Sequence, residues 1–182
     1  MSTEATDGAR VCVVMVTFGA PEWVERALDA VEANTPSDRY ELVVVDNGGP
    51  DPRTREALRR RYGGGWEASE ARARVVVHEA GANLGFAGGN DLAVNLASAP
   101  YVCLLNSDAI VPSGWLDPLL APLDDPTVGA VVPVLCELDG RVQEAGANIE
   151  PDGRVEAFDQ GSDPSSLRAS EAGAVSSGCC CD

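Results

Sequence analysis

The sequence predicts an α/β fold, with a mostly parallel, doubly wound sheet, helices on both faces, and short β-hairpin elements in its second half. Three observations carry that prediction. Uninterrupted apolar runs alternate with helical segments as far as Leu105, each run ends in a cluster of Asp, Asn, Gly or Ser, and two Asp-Gly pairs follow, each between short strand-like segments. Uninterrupted runs mark strands buried on both faces, as in parallel sheets covered by crossover helices.

The first run is Val11-Cys-Val-Val-Met-Val16, and Pro21-Glu-Trp then opens a helix. Trp23, Val24, Ala27, Leu28 and Val31 share one of its faces, and Asn34-Thr-Pro36 breaks it. Leu42–Val45 is the second strand, Arg53–Tyr62 the second helix, and Gly63-Gly-Gly65 its stop. Arg74–His78 reads as a third strand, Asn90–Ala99 as a short helix carrying Leu92, Ala93 and Leu96 inward, and Tyr101–Leu105 as a fourth strand. Strand and helix in strict alternation predict parallel pairing through right-handed crossovers.

Beyond this point the texture changes. Ser113 is placed to cap a helix through Trp115, Leu116, Leu119 and Leu120, and Val128–Val134 reads as another buried strand. Asp139-Gly140 and Asp152-Gly153 signal hairpin turns. Residues Gly161–Ser177 are small and polar, as in a surface loop.

Composition narrows the function. The chain has 182 residues, with 29 Asp and Glu against 13 basic residues and a formal charge of −16. All the basic residues are arginine. A field of that sign repels phosphate backbones and argues against nucleic acid as a partner. It also repels a nucleotide diphosphate unless a divalent cation, a helix N-terminus or backbone N–H groups reverse the sign locally. No apolar run approaches the ~20 residues of a transmembrane segment. Met1–Arg10 is polar and acidic, unlike a signal peptide, so a cytoplasmic location is expected. The six cysteines show no C-x-x-C pair and there is one histidine, His78, so a structural zinc site is not expected. Cys12 and Cys103 sit in apolar runs as small hydrophobes, and Cys179–Cys181 reads as a buried strand.

On a doubly wound sheet, ligands bind beyond the carboxyl ends of the strands. Those ends carry Thr17-Phe18-Gly19, Asp46-Asn47-Gly48-Gly49, the segment Glu79–Asn90 and Asn106-Ser107-Asp108. Asp108, with Asn106, suits a hard divalent ion that also takes diphosphate oxygens. Equally, Asp108 suits the turn before Ile110-Val111-Pro112. Asp46 is placed either to accept from a ribose hydroxyl or base N–H, or to make a turn with Asn47-Gly48. Gly81, Gly85 and Gly88 superficially resemble a dinucleotide fingerprint but follow the third strand, without the expected second half. They read better as small residues that let backbone approach a ligand, with Asn83 and Asn90 as polar contacts; Asn90 also suits a helix cap. His78 has no partner nucleophile, so triad chemistry has no support.

The ordered set of these segments resembles glycosyltransferase family 2, especially its rhamnosyltransferase-like branch. It comprises Val14–Phe18, Val44–Asn47, Asn83–Asn90, Leu104–Pro112, Gly114–Leu116, Val128–Pro133 and Gln143–Gly146. The resemblance implies a GT-A-like fold with a Rossmann-like sheet. It implies inverting transfer from a nucleotide-diphosphate sugar, dTDP-rhamnose among the candidates, to a glycan, lipid-linked or small-molecule acceptor. It also implies Mg or Mn, polysaccharide biosynthesis, and peripheral placement at the inner membrane face as a variant of the cytoplasmic location.

By that resemblance Thr17, Asp46 and the Asn83–Gly85 loop help hold the nucleotide, and Asp108 is the last acid of the metal-binding D-x-D motif, whose first acid is Asn106 here. Phe18, Asn47, Phe86, Asn90 and Asn106 complete the expected donor-binding set. The resemblance assigns residues 11–112 to a nucleotide-sugar-binding half. Residues 113–182 then begin an acceptor-side half that ends before the family's catalytic base, and residues 1–10 are expected to be flexible. Glu137 and Glu144 are not taken as that base. The alternatives are a catalytically degenerate binding or interaction module and a sugar-phosphate nucleotidyltransferase. The absence of lysine and of a Gly-rich opening loop disfavours the second.

Overall fold

The computed structural model describes residues 11–63 and 73–167. The expected flexible start at 1–10 and the Cys179–Cys181 run lie outside them. The chain divides into two compact units, Met1–Ile110 and Val111–Asp182.

The first unit runs β1 (Val11–Thr17), α1 (Pro21–Asn34), β2 (Tyr40–Asp46), α2 (Pro52–Tyr62), β3 (Arg74–Glu79), α3 (Gly85–Val94) and β4 (Tyr101–Leu104). All four strands pair in parallel, in the order β3-β2-β1-β4. Right-handed crossovers from β1 out to β3 place α1 and α2 on one face, and the return to β4 places α3 on the other. On the α3 side, Ala93 packs with Cys12, Val14, Val43 and Val45. Val13, Met15, Leu42 and Val44 alternate to the opposite face and are equally buried, as are Val24, Leu28 and Val31 of α1 and Leu58 of α2. Each such aliphatic side chain contributes about 1.5–3 kcal/mol. The predicted α/β sheet with helices on both faces is the architecture observed.

Local chemistry fixes the helix ends. The Asp51 side chain accepts from Arg53 N at 3.0 Å, with Pro52 at the first helical position. At the other end Gly63, at φ 69°, donates to Arg59 O at 2.7 Å, as its place after Tyr62 predicts.

Three expectations need correction. Helix α3 starts at Gly85, five residues before the expected Asn90, and ends at Val94 rather than Ala99. Gly85, Gly88 and Gly89 lie inside the helix, and packing against β1 requires the glycine at Gly89. A Cβ at Gly89 would stand 2.7 Å from Val16 Cγ1, so α3 lies closer to β1 than any larger residue allows. Residues 128–133 form no strand: Pro133 cannot donate to a ladder, bridging begins at Val134, and the first strand of this unit is β5 (Leu135–Cys136). Ser113 caps nothing: α4 (Leu116–Leu120) begins after Trp115 and has no side-chain cap.

Elsewhere in the second unit both hairpins form where the Asp-Gly turns predict them. β5 pairs antiparallel with β6 (Val142–Glu144) around Asp139-Gly140, and β7 (Ala147–Ile149) pairs with β8 (Val155–Ala157) around Asp152-Gly153. Gly140 and Gly153 take φ of 83° and 84°, a region that excludes most side chains.

Candidate functional site

Strand order reverses at β1, between β2 on one side and β4 on the other, so the chain leaves the carboxyl edge toward opposite faces there. The β1–β4 pairing continues one step past β4, where Leu105 N donates to Val14 O at 2.9 Å. Asn106, Ser107 and Asp108 therefore emerge beside the end of β1, in a turn closed by Ala109 N donating to Asn106 O at 3.1 Å.

On the other side, the loops after β1, β2 and β3 are packed backbone against backbone. A Cβ on Gly49 would overlap Gly19 N and stand 2.8 Å from Phe18 C. A Cβ on Gly48 would stand 2.9 Å from the Ala82 carbonyl carbon. Gly49→Ala is expected to cost about 2 kcal/mol or more, since backbone, not a flexible side chain, must give way. Denaturant melting checks it, and an unchanged midpoint would refute this close packing.

Asn47 is the knot of this edge. Its buried carboxamide donates to Asn83 Oδ1 at 3.2 Å and Gly85 O at 3.1 Å, and accepts from Leu84 N at 2.9 Å. Asn83 Oδ1 also accepts from Gly85 N at 2.8 Å. Gly85 opens α3 at φ 73°. Thr17 is buried beneath the loops, donating from Oγ1 to Val45 O at 3.3 Å, while its carbonyl accepts from Asn47 N at 3.0 Å. Asn90 is buried inside α3 and donates to Phe86 O at 2.9 Å, so it does not cap the helix. Asn47 thus spends its side chain on fixing loops, Thr17 on β2 and Asn90 on α3 itself. Phe18 and Phe86, 52% and 66% exposed, stand open at the same edge.

Asp46 ends β2 and is only 3% exposed. Its Oδ2 accepts from Arg55 Nε at 2.7 Å and its Oδ1 from Gly48 N at 3.2 Å. Glu79, its register partner on β3, lies 3.7 Å from the same Arg55 Nε and is bound through both oxygens by Arg59. Two carboxylates side by side at a strand end repel. Arg55 and Arg59, one turn apart on α2, offset that repulsion. The sequence reading missed Arg55; its signal was an arginine pair at i, i+4 on the helix following an acidic strand end.

Asn106 and Asp108 are exposed, and among the described residues their side chains make no hydrogen bond or ion pair. Hard oxygen donors free at an exposed turn fit a hard divalent cation that draws its remaining ligands from a diphosphate and water. Among the described residues no cluster of three His, Cys, Asp or Glu could hold a metal alone. The structure thus links Thr17, Asn47, Asn83 and Gly85 by hydrogen bonds, adjoins Asp46 to them through Gly48, and brings Asn106 and Asp108 to the same edge across β1.

Residues 12–162 match the sequence profile described as glycosyl transferase family 2. The chain belongs to that family. Among solved structures, it is similar to the mannosyltransferase PcManGT from Pyrobaculum calidifontis, solved in complex with GDP-Man and Mn2+. The two share 29% identity over 72% of this chain and 37% of that one, at a TM-score of 0.63. S. aureus TarS is similar at 19% identity over 72% of this chain and 22% of its own, with a TM-score of 0.57, which shows the fold alone. An uncharacterized protein, y4gI, of Sinorhizobium fredii (strain NBRC 101917 / NGR234) is 29% identical over 140 residues. That match covers 76% of this chain and 15% of the relative. The chain thus spans well under half of each of these relatives. The family and the GT-A-like fold agree with the resemblance read from the sequence. No helix among the described residues is long and apolar enough to cross a membrane.

Proposed function

We propose that this chain carries the donor site of a metal-assisted glycosyltransferase, with residues 11–112 binding a nucleotide-diphosphate sugar. One observation carries the reading: an exposed, unpartnered Asn106-x-Asp108 turn leaves the sheet at the strand-order reversal of a glycosyl transferase family 2 fold. Asp108 and Asn106 would hold Mg or Mn, and the cation supplies charge neutralisation for the leaving diphosphate. The loop knotted by Asn47 fixes the start of α3 at this edge, and a helix N-terminus favours negative charge. Phe18 and Phe86 offer apolar surface to the nucleoside. The finer reading is inverting transfer from a dTDP-sugar such as dTDP-rhamnose to a glycan, lipid-linked or small-molecule acceptor. It serves polysaccharide biosynthesis at the cytoplasmic side of a membrane, and it rests on the sequence resemblance. No described residue is assigned the catalytic base.

Calorimetric titration with dTDP, UDP and GDP, each with and without Mn, tests this. One nucleotide should bind tightly and only with the metal; absence of binding by all three in the folded chain would reject the donor site. That rejection would favour the catalytically degenerate module.

A further inference from the structure

Three arginines of α2 reach carboxylates at the carboxyl edge of the sheet, and they are not equivalent. Arg53 spends Nε and Nη2 on Asp51 and Nη1 on Glu22. Arg59 spends Nε and Nη2 on the two oxygens of Glu79. Arg55 is anchored by Nε alone, on Asp46, with Glu79 beside it. Among the described residues its two terminal nitrogens make no hydrogen bond, and its side chain is 37% exposed. A guanidinium fixed at Nε, with both outer N–H groups free, presents a planar fork of donors.

We propose that Arg55 is a specificity-determining residue that reads the carbonyl edge of the donor's nucleobase; this inference rests on the donor-site reading above. Position favours the base over the phosphates. Asp46 ends β2 and Asp108 lies in the turn that follows β4, and these strands stand two places apart, about 10 Å at the usual strand spacing. A diphosphate held near Asn106 and Asp108 leaves the nucleoside to extend across β1 toward β2. There Arg55 is the cation that touches Asp46, whose own oxygens are already engaged and covered. The fork therefore meets a base with exposed carbonyl acceptors, thymine, uracil or guanine, while adenine, which sets an N6 donor beside its ring-nitrogen acceptors, gains less from it.

The test titrates the full chain, with Mn present, against dTDP, UDP, GDP and ADP and against inorganic pyrophosphate. Wild type should prefer one of the three carbonyl-bearing nucleotides to ADP. Arg55→Ala should weaken the preferred nucleotide about tenfold or more, the loss of a hydrogen bond from a charged group, with pyrophosphate affinity nearly unchanged. Arg55→Lys keeps the charge beside Asp46 and Glu79. It should fold, bind pyrophosphate like wild type and lose most of the preference over ADP, so the inference stays testable if Arg55→Ala does not fold. An unchanged ratio of nucleotide to pyrophosphate affinity in these variants overturns the role of Arg55 and leaves the donor site standing. Failure of wild type to bind any of the nucleotides overturns both.

Discussion

Asp108→Ala is expected to abolish metal-dependent nucleotide binding, weakening it by about a hundredfold or more. Loss of residues that merely support metal ligands costs ~10–100-fold in metal affinity, and the proposed donor site offers one carboxylate to the cation. No second carboxylate stands in the turn: Asn106 offers a neutral carboxamide oxygen, the weaker partner. In a chain of net charge −16, a diphosphate without its cation meets a repulsive field. The same substitution should leave stability nearly unchanged, since Asp108 is exposed and unpartnered among the described residues. That combination separates a ligand from a turn-former. Wild-type affinity in Asp108→Ala, measured with Mn, would remove Asp108 from the site.

Glu41→Ala should cost about 3–5 kcal/mol of stability with no direct effect on the edge where ligands bind. Glu41 lies near the start of β2, 2% exposed, far from the carboxyl ends. It accepts from the Ser98 backbone, from Ser98 Oγ at 2.6 Å, from Ala99 N at 2.8 Å and from Arg74 Nη1 at 2.8 Å. One carboxylate thus ties β2 to β3 and to the connection from α3 to β4. Burial pushes its carboxyl up, but the hydrogen bonds from Ser98, Ala99 and Arg74 outweigh burial and hold it down at about 2. The neighbouring Cys12 thiol is pushed up to about 12, first by burial and then by Glu41.

Because the folded-state value lies below the unfolded one, the carboxylate's contribution is complete above the ordinary Glu value of 4.5. It is lost as pH falls from there toward 2. The difference in stability between wild type and Glu41→Gln should therefore shrink across that window and stay flat above it. Other carboxylates titrate equally in both proteins and cancel. A loss below about 1 kcal/mol in Glu41→Ala, from denaturant melts at neutral pH, would contradict this network.

How much of this was legible follows from the physics of each signal. The strands were readable because burial on both faces leaves no polar residue inside Val11–Val16 or Leu42–Val45. The hairpins were readable because Asp-Gly has few conformations to choose among. The start of α3 was not, because Gly85, Gly88 and Gly89 oppose a helix by propensity, and the reasons for two of them, the positive φ of Gly85 and the contact of Gly89 with Val16, show only in the structure. The Val128–Val134 run misled because apolar content says nothing about whether a neighbouring strand exists. At the site, sequence placed the residues at one edge but not their duties. Asn47 and Asn90 carry the right chemistry for ligand contact, yet their amides serve the loops and α3 itself. Arg55 showed in the sequence only as one of an arginine pair, because its meaning lies in a partner on another element.

The central claim, a metal-assisted donor site at the reversal between β1 and β4, is tested most directly by Mn in the amide NMR spectrum of the chain, with the nucleotide it binds. Paramagnetic broadening should appear first at Asn106, Ser107, Asp108 and Ala109, then at Phe18 and Gly19, and vanish in Asp108→Ala. Broadening centred on the acidic surface of α1 around Glu22 and Glu25, or broadening that persists in Asp108→Ala, would contradict the account.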